Sequence, residues 1–166
     1  GKSKQLMLAS GRETMSADQE IQPVLRDMFR SQRYAVLATD DHGQPFTSLM
    51  AFAATEDLRQ IVILTERARR KFSNLKANCR VALLIDDRKN KGTDAKDSVA
   101  VTAIGEAREA DSEAGAALLE LFLARHPDLA AFAGSPSCAV VTVKVSSYKL
   151  VSCLERVLEW RIEKEC

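Results

Sequence analysis

Between Tyr34 and Cys153 the chain breaks into short β-type runs separated by close turns, and that punctuation constrains the fold more than any other feature. Tyr34 to Thr39 is the first run. Asp40-Asp41-His42-Gly43 has the Asp and Gly chemistry of a hairpin turn, and Pro45 to Thr55 returns from it. After a second polar turn, Glu56 to Gln60, the stretch Ile61-Val62-Ile63-Leu64-Thr65 has the continuous apolar pattern of a strand buried on both faces. Val81 to Ile85 is a second buried run. Val99 to Gly105 (continuing to about Ala110), Ala139 to Val145 and Tyr148 to Cys153 complete the set. Repeating β-α units, which build a doubly wound parallel sheet, do not occur. The expectation is a mainly β chain with inserted helices (α+β), a closed or nearly closed antiparallel barrel of six or seven strands.

Helical spacing marks the insertions. Ile21, Val24, Leu25, Met28 and Phe29 share one face, with Ser16 and Asp18 as caps and Pro23 placing the regular start of the helix close to itself. A basic helix is expected from Arg67 to about Asn78. Another runs from Glu113 to Arg125, with Leu118, Leu121, Phe122 and Arg125 at helical spacing. Pro127 interrupts it, and Ala130 to Ala133 adds a further turn. Asp86 to Ser98 is charged and apolar-poor, a solvated loop. Residues 1–15 are polar and aperiodic, a flexible arm; residues 16–166 are expected to form one domain.

Composition removes several function classes. The net charge of +1 gives no general attraction to nucleic acid or anionic membrane, and no apolar run approaches the ~20 residues of a membrane helix. Gly1 to Arg12 lacks the pattern of a secretory signal. Cys79, Cys138, Cys153 and Cys166 are widely spaced with no C-x-x-C pair, as expected of reduced thiols in a cytoplasmic protein. The two histidines, His42 and His126, have no partners at zinc-ligand spacing and stand in no nucleophile motif. Neither a G-x-G-x-x-G nor a Walker-type loop is present.

The segment Thr65-Glu66-Arg67-Ala68-Arg69-Arg70-Lys71-Phe72-Ser73-Asn74-Leu75 carries the sharpest chemical signal. Ala68, Phe72 and Leu75 form an apolar face, and Arg67, Arg70, Lys71 and Asn74 a neighbouring stripe. Cations crowd the start of a helix, where the dipole already favours anions. A bound phosphate would reconcile the two, with Thr65 as cap or as a further donor. From physics alone a solvated basic face explains the cluster equally well. An RNA surface is disfavoured, because no aromatic residues interleave with the charges and aromatics make up only 5% of the chain.

The stretch ILTERARRKFSNLKANCRVALLI resembles the pyridoxamine 5′-phosphate oxidase-like flavoproteins. There a strand ending in Thr is followed by a short basic helix with Arg-Lys and then by Asn-x-Arg. The matching residues are Thr65, Arg70-Lys71 and Asn78-Cys79-Arg80, with Cys79 where the family usually has Pro. RYAVLATDDHGQPFTSLMAFA is similar to the family's opening hairpin.

The resemblance implies an FMN-binding split β-barrel, working as a homodimer with the cofactor at the subunit interface. Arg70 and Lys71 would hold the FMN phosphate, with Thr65 and the neighbouring Arg67 at the same site; Thr47, Ser48 and Leu49 would face the flavin. Trp160, followed by Arg161, sits where the family brings an aromatic and a base toward the ring. Ser48 to Ala54 has no cation where pyridoxamine phosphate oxidases proper carry Arg and Lys, and no C-terminal Arg-x-His motif follows. The implied function is therefore that of a small relative: a flavin-dependent oxidoreductase acting on another small molecule. The alternative is a non-catalytic flavin-binding, haem-binding or haem-degrading barrel, for which His126 is the candidate ligand.

Overall fold

A computed structural model describes residues 16–152 and 156–163. The expected arm, residues 1–15, lies outside them, as do Cys153 and Cys166. In chain order the elements are α1 (Ala17–Ser31), β1 (Tyr34–Asp41), β2 (Gln44–Ala51), β3 (Ala53–Ala54), β4 (Gln60–Glu66), α2 (Arg70–Ala77), β5 (Arg80–Asp86), α3 (Asp94–Asp97), β6 (Val99–Glu109), α4 (Ser112–Arg125), a 3₁₀ turn (Pro127–Leu129), α5 (Ala130–Ala133), β7 (Cys138–Ser152) and β8 (Arg156–Arg161). All strands pair antiparallel in one sheet, in the order β2-β1-β5-β6-β7-β4-β3, with β8 added to β7. The sheet curls around its core as a split β-barrel. Its path ends at β2 and β3, and among the described residues no ladder joins them.

The opening hairpin follows from its turn. His42 and Gly43 both adopt positive φ, 51° and 89°, as a two-residue turn of matching twist requires. The Asp40 carboxylate accepts the Gly43 N–H at 3.1 Å. β4 is buried on both faces: Ile61 and Ile63 point into the barrel, while Val62 and Leu64 lie beneath Leu118 and Phe122 of α4. Arg125, at the end of α4, donates to the carbonyls of Phe29, Arg30 and Gln32, so one helix caps the C-terminus of another.

The structure corrects several expectations. α1 begins at Ala17, not near Pro23, because a reciprocal capping box between Ser16 and Gln19 closes its first turn. Pro23 is carried inside the helix, whose Ile21, Leu25, Met28 and Phe29 are buried. The expected loop from Asp86 to Ser98 contains the single turn α3. β5 alternates rather than being buried throughout: Val81, Leu83 and Ile85 face the core, and Leu84 remains 40% exposed because no helix covers that side. β7 is one continuous strand where two were expected. Ile104 pairs with Ser147 and Gly105 with Val145, so Ser146 is an extra residue that bends the strand without ending it. β8 was not expected at all; half of β7 pairs with β4 and the other half with β8.

Candidate functional site

The end of β4 leads into the candidate phosphate site. α2 starts at Arg70, three residues later than the basic periodicity suggests, because the turn before it is tied to the start of β7. The Arg67 N–H bonds to the Ser137 carbonyl at 2.9 Å. Its guanidinium donates to the carbonyls of Pro136 and Cys138, at 3.2 and 2.8 Å, and pairs with Glu109. Arg67 therefore leaves the expected helical stripe and holds the turn. Arg70 and Lys71 become the first two helical residues. Asn74, expected on the same stripe, is buried and donates to Thr39 Oγ1 at 3.2 Å.

What remains at this end of α2 has an electrostatic imbalance. Arg69 occupies the cap position without a side-chain cap bond, and the first turn holds no acidic residue. Half-buried Lys71 has no salt-bridge partner among the described residues. Arg70 reaches the β1–β2 hairpin, where one guanidinium nitrogen lies 3.8 Å from Asp41 Oδ2 and Cζ lies 5.7 Å from the Phe46 ring centre. Thr65 is only 2% exposed, and its hydroxyl makes a 3.5 Å contact to the Glu66 carbonyl, at the outer limit of a hydrogen bond. The Phe72 and Ser73 amides bond to the Arg69 carbonyl, which leaves the Arg70 and Lys71 amides, with their two cations, as the groups of this end that suit a phosphate. Between the hairpin tip and α2 a polar cleft of about 610 Å³ is lined by residues including Asp40, His42, Arg70 and Asn78.

The three flavin-facing candidates on β2 do not share a face. Thr47 and Leu49 lie opposite Ala38 and Val36 on the outside of the barrel, whereas Ser48 lies opposite buried Leu37. They share the free edge of β2, the end of the sheet path. The outer face beside them is apolar for a protein surface: Leu49 is 71% exposed, Tyr34 58% and Ile104 47%. It continues into an open groove of about 1160 Å³, where Arg80, Glu106 and Lys144 form one cross-strand row.

Two candidates are placed elsewhere. Trp160, partly buried, pairs with Tyr148 across β8 and β7 and stacks on it on the core side, 5.8 Å between ring centres. Arg161 is exposed and pairs with Glu159. His126, the candidate haem ligand, is 3% exposed, lies 4.8 Å from the Phe122 ring, and donates its Nε2 proton to the Phe52 carbonyl at 2.8 Å. It is not available to iron. His126→Ala is expected to destabilise the fold by about 2 kcal/mol or more in urea denaturation, from the orphaned carbonyl and the cavity, with no change in any cofactor spectrum. A lost spectrum in a fully folded variant would reverse that assignment.

Two further groups, Cys138 and Tyr148, are similarly spent. Burial pushes the Cys138 thiol up, away from the thiolate a nucleophile needs. Burial also pushes the Tyr148 phenol up, and its hydroxyl donates to the Leu58 carbonyl at 2.6 Å. Among the described residues no group of three His, Cys, Asp or Glu can hold a metal ion. No helix among them is long and apolar enough to cross a membrane. Asp41 and Phe46, which flank the Arg70 guanidinium, were not expected at the site; the alternation of β1 and β2 already turns both inward.

Known structures share this architecture at low identity. A haem-binding protein from Mycobacterium smegmatis superposes with a TM-score of 0.76 at 18% identity, over 88% of this chain and 58% of its own length. The present chain thus spans little more than half of that protein. HutZ, the haem storage protein of Vibrio cholerae, gives a TM-score of 0.65 at 16% identity, covering 74% of this chain and 88% of its own. A FAD-binding protein from Mesorhizobium loti gives 0.58 at 14% identity, covering 81% and 89%. No curated protein matches in sequence. The family model described as pyridoxamine 5′-phosphate oxidase matches residues 21–152, from the first core residue of α1 to the end of β7. With that match spanning most of the chain and the split barrel around it, the protein belongs to the pyridoxamine 5′-phosphate oxidase family.

Proposed function

We propose that this protein is an FMN-binding member of its family, a homodimer that uses the flavin as an oxidoreductase on a small molecule other than pyridoxamine phosphate. The observation that carries the reading is the start of α2: no side-chain cap bond, no acidic residue in its first turn, and Arg70 and a half-buried Lys71 shortly after Thr65. Arg70, Lys71 and Thr65 hold the phosphate, and Arg67 keeps the turn that presents them. The isoalloxazine ring lies along the free edge of β2, against backbone groups of Thr47, Ser48 and Leu49. Bound FMN supplies electron or hydride transfer; the chain's part is to anchor and orient it and to limit access of water. The lack of cations from Ser48 to Ala54 supports a different substrate. The free thiols of Cys79 and Cys138 support a cytoplasmic setting.

Titrating the protein separately with FMN, riboflavin and haemin tests the cofactor. Saturable FMN binding with much weaker riboflavin binding is expected, because riboflavin lacks the phosphate. A saturable Soret shift with haemin and no response to FMN would favour the haem alternative.

The dimer is supported by the exposed Tyr34, Leu49, Leu84 and Ile104 on one outer face, with Val36 between Leu49 and Leu84 in register. A second copy of the chain covers this face about a two-fold axis. Sedimentation equilibrium should give twice 18.3 kDa. Leu84→Asp should raise the dimer dissociation constant at least about a hundredfold, since a charge would be buried near the centre of the interface. A wild-type monomer at micromolar concentration would refute the assembly.

A further inference from the structure

We propose that Asp41 is a positioning residue for the cofactor phosphate, acting through Arg70; this rests on the FMN reading above. Asp41 is the last residue of β1, and its side chain is 29% exposed, against 65% for Arg70. The carboxylate is thus the fixed partner and the guanidinium the mobile one. The contact is a single long one, Nη1 to Oδ2 at 3.8 Å, and Phe46 supports one face of the guanidinium at 5.7 Å from its ring centre. One turn later on the same side of α2, Asn74 is bonded to Thr39, two residues before Asp41. The hairpin therefore holds α2 through two side chains one turn apart, Asn74 and the first helical residue, Arg70.

A guanidinium has five N–H donors in a planar fork, and the 3.8 Å contact engages no more than one nitrogen. The rest stay free for a phosphate, while Asp41 and Phe46 reduce the rotamer freedom that Arg70 would otherwise lose on binding. Asp41 also repels a phosphate. The pair is solvent-accessible, however, and repulsion between exposed charges is screened over a Debye length of about 8 Å at physiological salt. Orientation outweighs repulsion.

A double-mutant cycle in FMN affinity tests this, using Asp41→Ala, Arg70→Ala and both together, with riboflavin as control ligand and thermal melting as a check on folding. Asp41→Ala should weaken FMN binding about fivefold, leave riboflavin within about twofold, and have no further effect once Arg70 is alanine. Asp41→Asn, which keeps the shape, should move FMN affinity in the same direction and covers the case of a poorly folded alanine variant. Unchanged or tighter FMN binding in Asp41→Ala, or an equal loss in both backgrounds, would overturn the role of Asp41. If wild type failed to bind FMN, or Arg70→Ala bound it normally, the phosphate site would fall and this inference with it.

Discussion

Replacing Arg70 and Lys71 together by alanine should lower FMN affinity at least about a hundredfold and leave the fold intact. Each substitution removes a charge-assisted hydrogen bond to phosphate, worth roughly 1.5–3 kcal/mol. Even the lower end, taken as additive, gives about 3 kcal/mol, and 1.4 kcal/mol is tenfold in affinity. The fold should tolerate the change, because alanine is a better helix former and the buried residues of α2 are Phe72, Asn74 and Leu75. Riboflavin should be almost indifferent to the substitution, since it lacks the phosphate that Arg70 and Lys71 are proposed to hold. Fluorescence titration of both flavins into both proteins measures this directly. A double variant that bound FMN like wild type would show that the phosphate sits elsewhere. Losing riboflavin and FMN equally would point to a disturbed barrel.

Gly105→Ala should cost about 3 kcal/mol or more in folding stability, a large share of the 5–15 kcal/mol typical of a domain. A Cβ at Gly105 would stand 2.2 Å from the Lys144 carbonyl oxygen and 2.9 Å from its carbon. The obstacle is backbone of the neighbouring strand, held by the bulge at Ser146, so no side chain can rotate out of the way. β6 and β7 are the two longest strands and form the middle of the sheet path, so separating them would disturb pairings on both sides. Urea denaturation of the two proteins gives the difference. A loss below about 1 kcal/mol would mean that the sheet opens at the bulge more easily than its pairing implies.

Local chemistry was enough to read the opening hairpin, because Asp40 and the positive-φ pair His42-Gly43 act within four residues. The same holds for the doubly buried β4, the amphipathic α4 and the break at Pro127: each is a period or a breaker visible along the chain. The basic cluster at Arg70-Lys71 stood out for a related reason, since cations at a helix start conflict with the dipole whatever surrounds them. Long-range partners decided the rest. Arg67 looks like part of the same basic stripe until Glu109 and the carbonyls at the start of β7 claim it. Leu84 sits in a run that looks buried, yet burial on the second face needs a covering element, and α4 covers β4 instead. Trp160 and His126 carry side chains suited to a cofactor, and only the packing of Tyr148 and the Phe52 carbonyl turns them inward. β8 escaped the sequence reading because it is short and the adjacent apolar Val157 and Leu158 blur its alternation, with Val157 exposed; only the far half of β7 supplies the edge that makes it a strand. Sequence neighbours determine turns, caps and periods, whereas the freedom of a side chain to meet a ligand depends on which distant group reaches it first.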